Sequence, residues 1–169
     1  MKFVFAQGDK GLTKKIINNE KRIPTAEFLM KLINSKSFEN FYTENIDHLQ
    51  LPTIRQYLAN LFEERNVLSH LLFKEVDIEK SLGHRILTGE RRLSRDNAIK
   101  IAFGLKLNVE ESQRFLTISQ NNLLYPFIPR DAALLYCLHN GISYRDVQDK
   151  LYEWGITILG DEIKHDKND

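Results

Sequence analysis

Residues 80–106 read KSLGHRILTGERRLSRDNAIKIAFGLK, and this stretch holds the concentrated positive charge of the chain. Seven lysines and arginines stand here against two acids, so the segment carries +5 although the whole chain of 169 residues carries only +1. The overall balance therefore conceals a basic segment built around a turn at Gly89. Such a cluster predicts either a surface that binds a polyanion or a solvated face that only aids solubility.

Residues 80–88 predict a short amphipathic helix that ends at Gly89, where a positive φ is readily adopted. Leu82 and Ile86 fall on one face, and Gly83 leaves room for a neighbouring helix to approach closely. The opposite face is polar and basic, as a helix that reads base edges in the DNA major groove requires. The candidate base or groove contacts are Lys80, Ser81, His84, Arg85 and Thr88.

The residues that follow Gly89 are rich in arginine and lead into a helix that Ser94 is expected to cap. Arginine side chains bind phosphate oxygens in pairs, and the amides at a helix N-terminus also bind phosphate. The candidate phosphate contacts are therefore Arg91, Arg92, Arg95 and Lys100.

Ser94 has two interpretations. It is a preferred N-cap residue, and it also follows two arginines at the spacing that an arginine-directed Ser/Thr kinase selects. A phosphate there would place nearly two negative charges where a DNA phosphate is expected, and it would oppose binding. Ser94 is thus a structural cap or a phosphorylation site.

The remaining sequence predicts an all-α protein of roughly eight short helices, because almost no segment alternates between apolar and polar residues. Residues 2–6 are compatible with a short strand at the start of a loosely held arm. Thr25 is expected to cap a helix on which Phe28, Leu29, Leu32 and Ile33 share one face, and Ser69 to cap the helix that ends near Asp77. Asn108 and Glu111 are expected to form a capping box. A C-terminal helix pair is expected to pack on the core through Leu134, Leu138, Val147, Leu151 and Trp154.

The sequence offers little support for an enzyme, a metal site or a membrane protein. The five histidines and the single Cys137 lack metal-ligand spacing, and neither a phosphate loop nor a nucleophile motif is found. No apolar run reaches the roughly 18 residues that a bilayer span needs. Aromatic residues at helical spacing are expected in the core or at an interface. We therefore expect a cytoplasmic, non-enzymatic protein with no cofactor and no catalytic residue.

The order of these elements resembles the lambda-repressor-like (Xre-type) helix-turn-helix domain of bacterial and phage regulators. The matching segments are residues 85–89 (RILTG), the charged turn 90–94 (ERRLS) and residues 101–107 (IAFGLKL). Residues 26–160 are also similar to a Firmicutes-type subset with helical extensions on both sides. With this resemblance the chain is expected to divide into an N-terminal arm and helical extension over 1–50, the helix-turn-helix domain over 51–120 and a C-terminal helix pair over 121–160. The charged composition of residues 161–169 predicts a disordered tail.

The resemblance further implies a sequence-specific transcriptional regulator, associated with the nucleoid, that places helix 78–88 in the major groove of double-stranded DNA. Such regulators generally act as homodimers, and those of the subset often occur beside Ser/Thr kinases, which makes a kinase a possible partner. The alternative is an adaptor or inhibitor that uses the same fold to bind a protein such as a kinase or toxin. Salt dependence distinguishes the two, because DNA binding falls steeply with salt.

Overall fold

The computed structural model describes residues 25–160, and within this range it contains helices and no strand. The expected all-α class is therefore confirmed for this part of the chain. The expectations for the N-terminal arm, residues 2–6 and the tail 161–169 lie outside the described residues. No helix between residues 25 and 160 combines the length and apolar character of a bilayer span. The helices are α1 (Thr25–Ile33), α2 (Phe38–Asn45), a 3₁₀ turn (Ile46–His48), α3 (Ile54–Glu64), α4 (Ser69–Glu75), α5 (Lys80–Thr88), α6 (Arg95–Gly104), α7 (Val109–Ile118), α8 (Pro129–His139) and α9 (Tyr144–Glu153).

The chain divides between Pro52 and Thr53 into two compact units. In the first unit, the ring of Phe28 packs against the buried Phe41 with 5.2 Å between centroids. Lys31 Nζ donates to the Oδ1 atom of the buried Asn45 at 2.8 Å. These contacts join α1 to α2.

The apolar face of α1 is only partly covered. Leu29, Leu32 and Ile33 are exposed, whereas Phe28 packs against Phe41. The expectation that Thr25 caps this helix is wrong, because Thr25 is the first helical residue and lies inside the helix.

The second unit is built around α6, in which every residue from Ala98 to Phe103 is buried. Helices α4, α7 and α9 pack against it, and α5 packs against α3 and α4. Four of the five residues expected to pack the C-terminal pair on this core are buried, namely Leu134, Leu138, Val147 and Leu151. Trp154, the C-cap residue of α9, is the exception, with 44 % of its surface exposed. The pair α8 and α9 therefore shares one core with the preceding helices.

Local capping signals set most helix boundaries in this unit. Ser94 accepts a hydrogen bond from the Asn97 amide, and Asn108 forms a reciprocal capping box with Glu111, as expected. The expectation for Ser69 is wrong by one residue. Leu68 has the extended backbone of an N-cap, so Ser69 begins the helix, and no side chain caps it.

Candidate nucleic-acid interface

The inner face of α5 is seated closely on α4. Gly83 and Ile86 are buried, and a Cβ atom built on Gly83 would lie only 2.4 Å from Cδ2 of Phe73. The expected close approach at Gly83 is thus confirmed, with the Phe73 ring as the neighbour. This contact fixes how far α5 stands from α4.

The outer face of α5 exposes all five predicted groove contacts, including Lys80, His84 and Arg85. Ser81 Oγ donates to Glu79 at 2.7 Å, and Thr88 Oγ1 donates to the Arg85 carbonyl at 3.2 Å. Among the described residues, Lys80 and Arg85 have no acidic partner within ion-pair distance. Their charges therefore remain available to a ligand.

The turn after α5 is anchored in the core by a buried leucine and leaves two arginines at the surface. Gly89 has φ +81°, as the sequence predicts, and the Arg91 amide donates to the Arg85 carbonyl at 3.0 Å. Leu93 is buried in the core and anchors the turn. Arg91 and Arg92 are both exposed. Arg92 donates one hydrogen bond of 2.7 Å to the Gln120 carbonyl.

Two predicted phosphate contacts, Arg95 and Lys100, are used inside the protein. Arg95 donates to the Asn122 carbonyl at 2.9 Å and forms an ion pair with Asp131 at 2.8 Å. Lys100 is only 7 % exposed, and its Nζ donates to the Asp77 carbonyl at 3.3 Å. The expectation for both residues is corrected, because α6 is the central helix and its side chains face neighbouring elements.

Ser94 acts as an N-cap, so its structural interpretation is confirmed. Its hydroxyl is exposed, and it accepts from the Asn97 amide at a long 3.4 Å. A kinase that binds this segment as an extended peptide must draw the buried Leu93 out of the core. Phosphorylation of Ser94 stays a prediction.

Two ion pairs beside this turn are absent from the sequence-based predictions. Arg95 and Asp96 lie in the first turn of α6, and Arg130 and Asp131 lie in the first turn of α8. Each arginine pairs with the aspartate of the other helix. Burial by itself raises the pKa of the Asp96 carboxyl, but hydrogen bonds from Arg130 and the Gly160 amide outweigh it and hold the pKa below 3.8. Both helices carry an Arg-Asp dipeptide, but the same dipeptide at Arg145–Asp146 takes no part in these pairs, so the sequence does not by itself predict the reciprocal pairing.

The described residues hold no group of three or more His, Cys, Asp or Glu side chains that is arranged to bind a metal ion. Cys137 is fully buried, and burial raises the pKa of its thiol. The basic surface formed by α5 and the following turn is therefore the best-defined candidate site in residues 25–160.

No protein-family model matches the chain, and comparisons with curated proteins and with solved structures find no significant match. The case for the candidate interface therefore rests on its own geometry and charge.

Proposed function

We propose that this protein is a sequence-specific DNA-binding transcriptional regulator of bacterial or phage type with a lambda-repressor-like helix-turn-helix. In this proposal α4 and α5 form the helix pair, and α5 lies in the major groove. The observation that carries it is the two-sidedness of α5. Its inner face packs closely against Phe73 at Gly83, and its outer face exposes the cations Lys80 and Arg85 beside short polar side chains.

The dimensions support this placement. An α-helix with its side chains is about 10–12 Å across, which fits the major groove of about 12 Å width, and the nine residues of α5 extend over about 14 Å. Lys80, His84 and Arg85 are the candidate readers of base edges. Arg91 and Arg92, just beyond the helix, hold the adjacent phosphates. Because α5 covers only about one half-site, the proposal includes a homodimer that acts on nucleoid DNA in the cytoplasm.

A protein partner is the second candidate, and a separate observation favours it. Tyr125 and Phe127 stand in an exposed aromatic pair with ring centroids 5.5 Å apart, and Phe127 is 83 % exposed. A nearby open cleft of about 550 Å³ is lined in part by Leu123, Ile128 and Ile156. Exposed apolar surface of this kind is typical of protein interfaces, which suits an adaptor or an inhibitor of a kinase or toxin.

The first experiment is selection of genomic DNA fragments by the purified protein, followed by a salt titration on the selected site. Arg85→Ala is expected to cost about 1–3 kcal/mol of binding free energy, chiefly on the selected sequence, because it removes a base contact. Arg91→Ala is expected to weaken binding to all sequences and to reduce the slope of log K against log salt by about one.

Lys150→Ala is the matched control, because it removes one positive charge near the C-terminal end of α9, outside the candidate interface. It is expected to bind both DNA classes like the wild type. If the folded wild type selects no site at low salt, the regulator proposal is wrong, and a search for a protein partner follows.

The two interpretations of Ser94 predict different DNA affinities for two variants. Ser94→Asp is expected to lose most binding, because a carboxylate beside Arg91 and Arg92 repels the DNA phosphate. Ser94→Ala is expected to keep most binding and to lose about 1 kcal/mol of unfolding free energy, since the cap of α6 is removed. Equal DNA affinities for the two variants would end the proposal that this residue is a phosphorylation switch.

A further inference from the structure

The turn between α4 and α5 is contacted on its buried side by the side chain of Lys100. Asp77 has φ +52°, the left-handed conformation common just after a helix, and the following Ile78 amide donates to the Phe73 carbonyl at 2.8 Å. Lys100, from the middle of α6, donates from Nζ to the Asp77 carbonyl at 3.3 Å. The turn is therefore held both by the end of its own helix and by a contact from the central helix.

The C-terminal helix α9 reaches the same turn through Tyr144. This residue is 4 % exposed, and its ring centroid lies 5.8 Å from the Lys100 ammonium. Burial, together with the nearby Asp77 carboxylate, raises the pKa of the Tyr144 hydroxyl to about 12, so the group stays protonated. Asp77 is thus held through its carbonyl by α6, while its carboxylate lies beside α9.

The chain that follows α9 closes over the lysine. A Cβ atom built on Gly160 would lie 2.7 Å from Lys100 Nζ, and the Gly160 amide donates to Asp96 at 2.9 Å. Gln148 ties this segment to α9, because its side chain bonds both the amide and the carbonyl of Leu159. The last described residues and α9 together form one wall around Lys100.

Within residues 25–160 the buried ammonium of Lys100 donates one hydrogen bond, to the Asp77 carbonyl, so it is an energetically costly way to fill this space. Burial of a charge carries a large desolvation penalty, and an apolar side chain of similar volume is often at least as stabilising. Stability alone therefore does not explain a lysine at position 100. Its directional bond to the turn does, because that bond fixes where α5 begins.

We infer that Asp77, Lys100 and Tyr144 are positioning residues that set the orientation of α5, which makes the C-terminal helix pair a working part of the DNA-reading unit. This inference rests on the proposed function. It extends that function from the surface of α5 to groups that touch no DNA.

The test compares Lys100→Met and Tyr144→Phe in the full chain, with Lys106→Met as a control that removes an exposed lysine from the next turn. Affinity is measured on the selected site and on unrelated DNA over a range of salt, and unfolding is followed in parallel. We expect the ratio of specific to non-specific affinity to fall about tenfold in both test variants, the effect of roughly one misread base pair. The salt slope is expected to stay unchanged, because Lys100 is buried and neutralises no phosphate.

The outcomes separate a positioning role from a purely structural one. A smaller folded fraction lowers both affinities equally and leaves their ratio intact, so an unchanged ratio in folded variants overturns the inference. If Lys100→Met fails to fold, Tyr144→Phe decides, since it removes one hydroxyl and leaves Gln148 bonded to Leu159. A wild type that selects no DNA overturns the proposed function itself, which is a different result.

Discussion

Replacement of Gly83 by alanine is expected to destabilise the protein by about 1–3 kcal/mol and to abolish specific DNA binding. Alanine normally stabilises a helix interior by about 1 kcal/mol relative to glycine. Here the new methyl group would lie 2.4 Å from Cδ2 and 2.8 Å from Cε2 of Phe73. That ring is 4 % exposed and stands edge-on against Phe62, so a shift of the ring disturbs its packing in the core. The clash must push α5 away from α4.

The change is measured by denaturant unfolding beside DNA affinity. Ser81→Ala is a control for unfolding only: it lies in the same helix on the exposed face, and its stability is expected to stay close to the wild type. The double variant Gly83→Ala/Phe73→Leu is expected to recover part of both losses, because the smaller side chain makes room for the methyl group. A Gly83→Ala protein that is more stable than the wild type would contradict this prediction, because it would show that the contact between α4 and α5 accommodates the methyl group.

Arg130→Met is expected to lower the unfolding free energy by about 2–4 kcal/mol. Breaking a fully buried ion pair costs about 3–5 kcal/mol, and this pair is partly exposed. The arginine bonds both carboxylate oxygens of Asp96, at 2.9 Å and 2.7 Å, and also the carbonyls of Thr157 and Ile158. Its side chain is 15 % exposed, so water replaces these bonds poorly. The variant leaves Asp96 charged, half-buried and without its ion-pair partner.

The pH dependence of unfolding identifies this contribution. The pKa of Asp96 is lower in the folded protein than its ordinary value of 3.8, so the stabilisation is complete above that value. It is lost as the pH falls from 3.8 through the folded pKa. The difference in unfolding free energy between wild type and Arg130→Met is therefore expected to shrink below about pH 4.

Arg65→Met provides the matched control for the ion pair. Arg65 and Glu111 are 2.6 Å apart, but both side chains are about one-third exposed, so the loss is expected to stay below about 1 kcal/mol. Equal losses for the Arg65 and Arg130 variants would mean that burial adds nothing to the pair of Arg130 with Asp96.

The candidate site was only partly predictable from the sequence. The periodicity of residues 80–88 separates Ile86 from the outer face, and Gly83 marks the side that touches a neighbour. The same reasoning assigned Arg95 and Lys100 to phosphate contacts, because a cation inside an arginine-rich segment carries no sign of where its helix will be packed. Arg95 bonds to Asp131, 36 positions away, and Lys100 bonds to Asp77, 23 positions away. Only these distant contacts show that both side chains are bonded within the protein.

By itself the sequence determined the all-α class within residues 25–160, the Ser94 cap, the Asn108–Glu111 capping box and the turn at Gly89. These features depend on bonds between residues at most six positions apart, so local chemistry is sufficient to specify them. The tertiary structure decided the central position of α6, the burial of Lys100 and the exposure of Leu29 and Trp154. Those properties depend on which surfaces face each other after packing. The packing is set by the sum of many weak contacts between residues that are distant in the sequence, and no short stretch of sequence contains them.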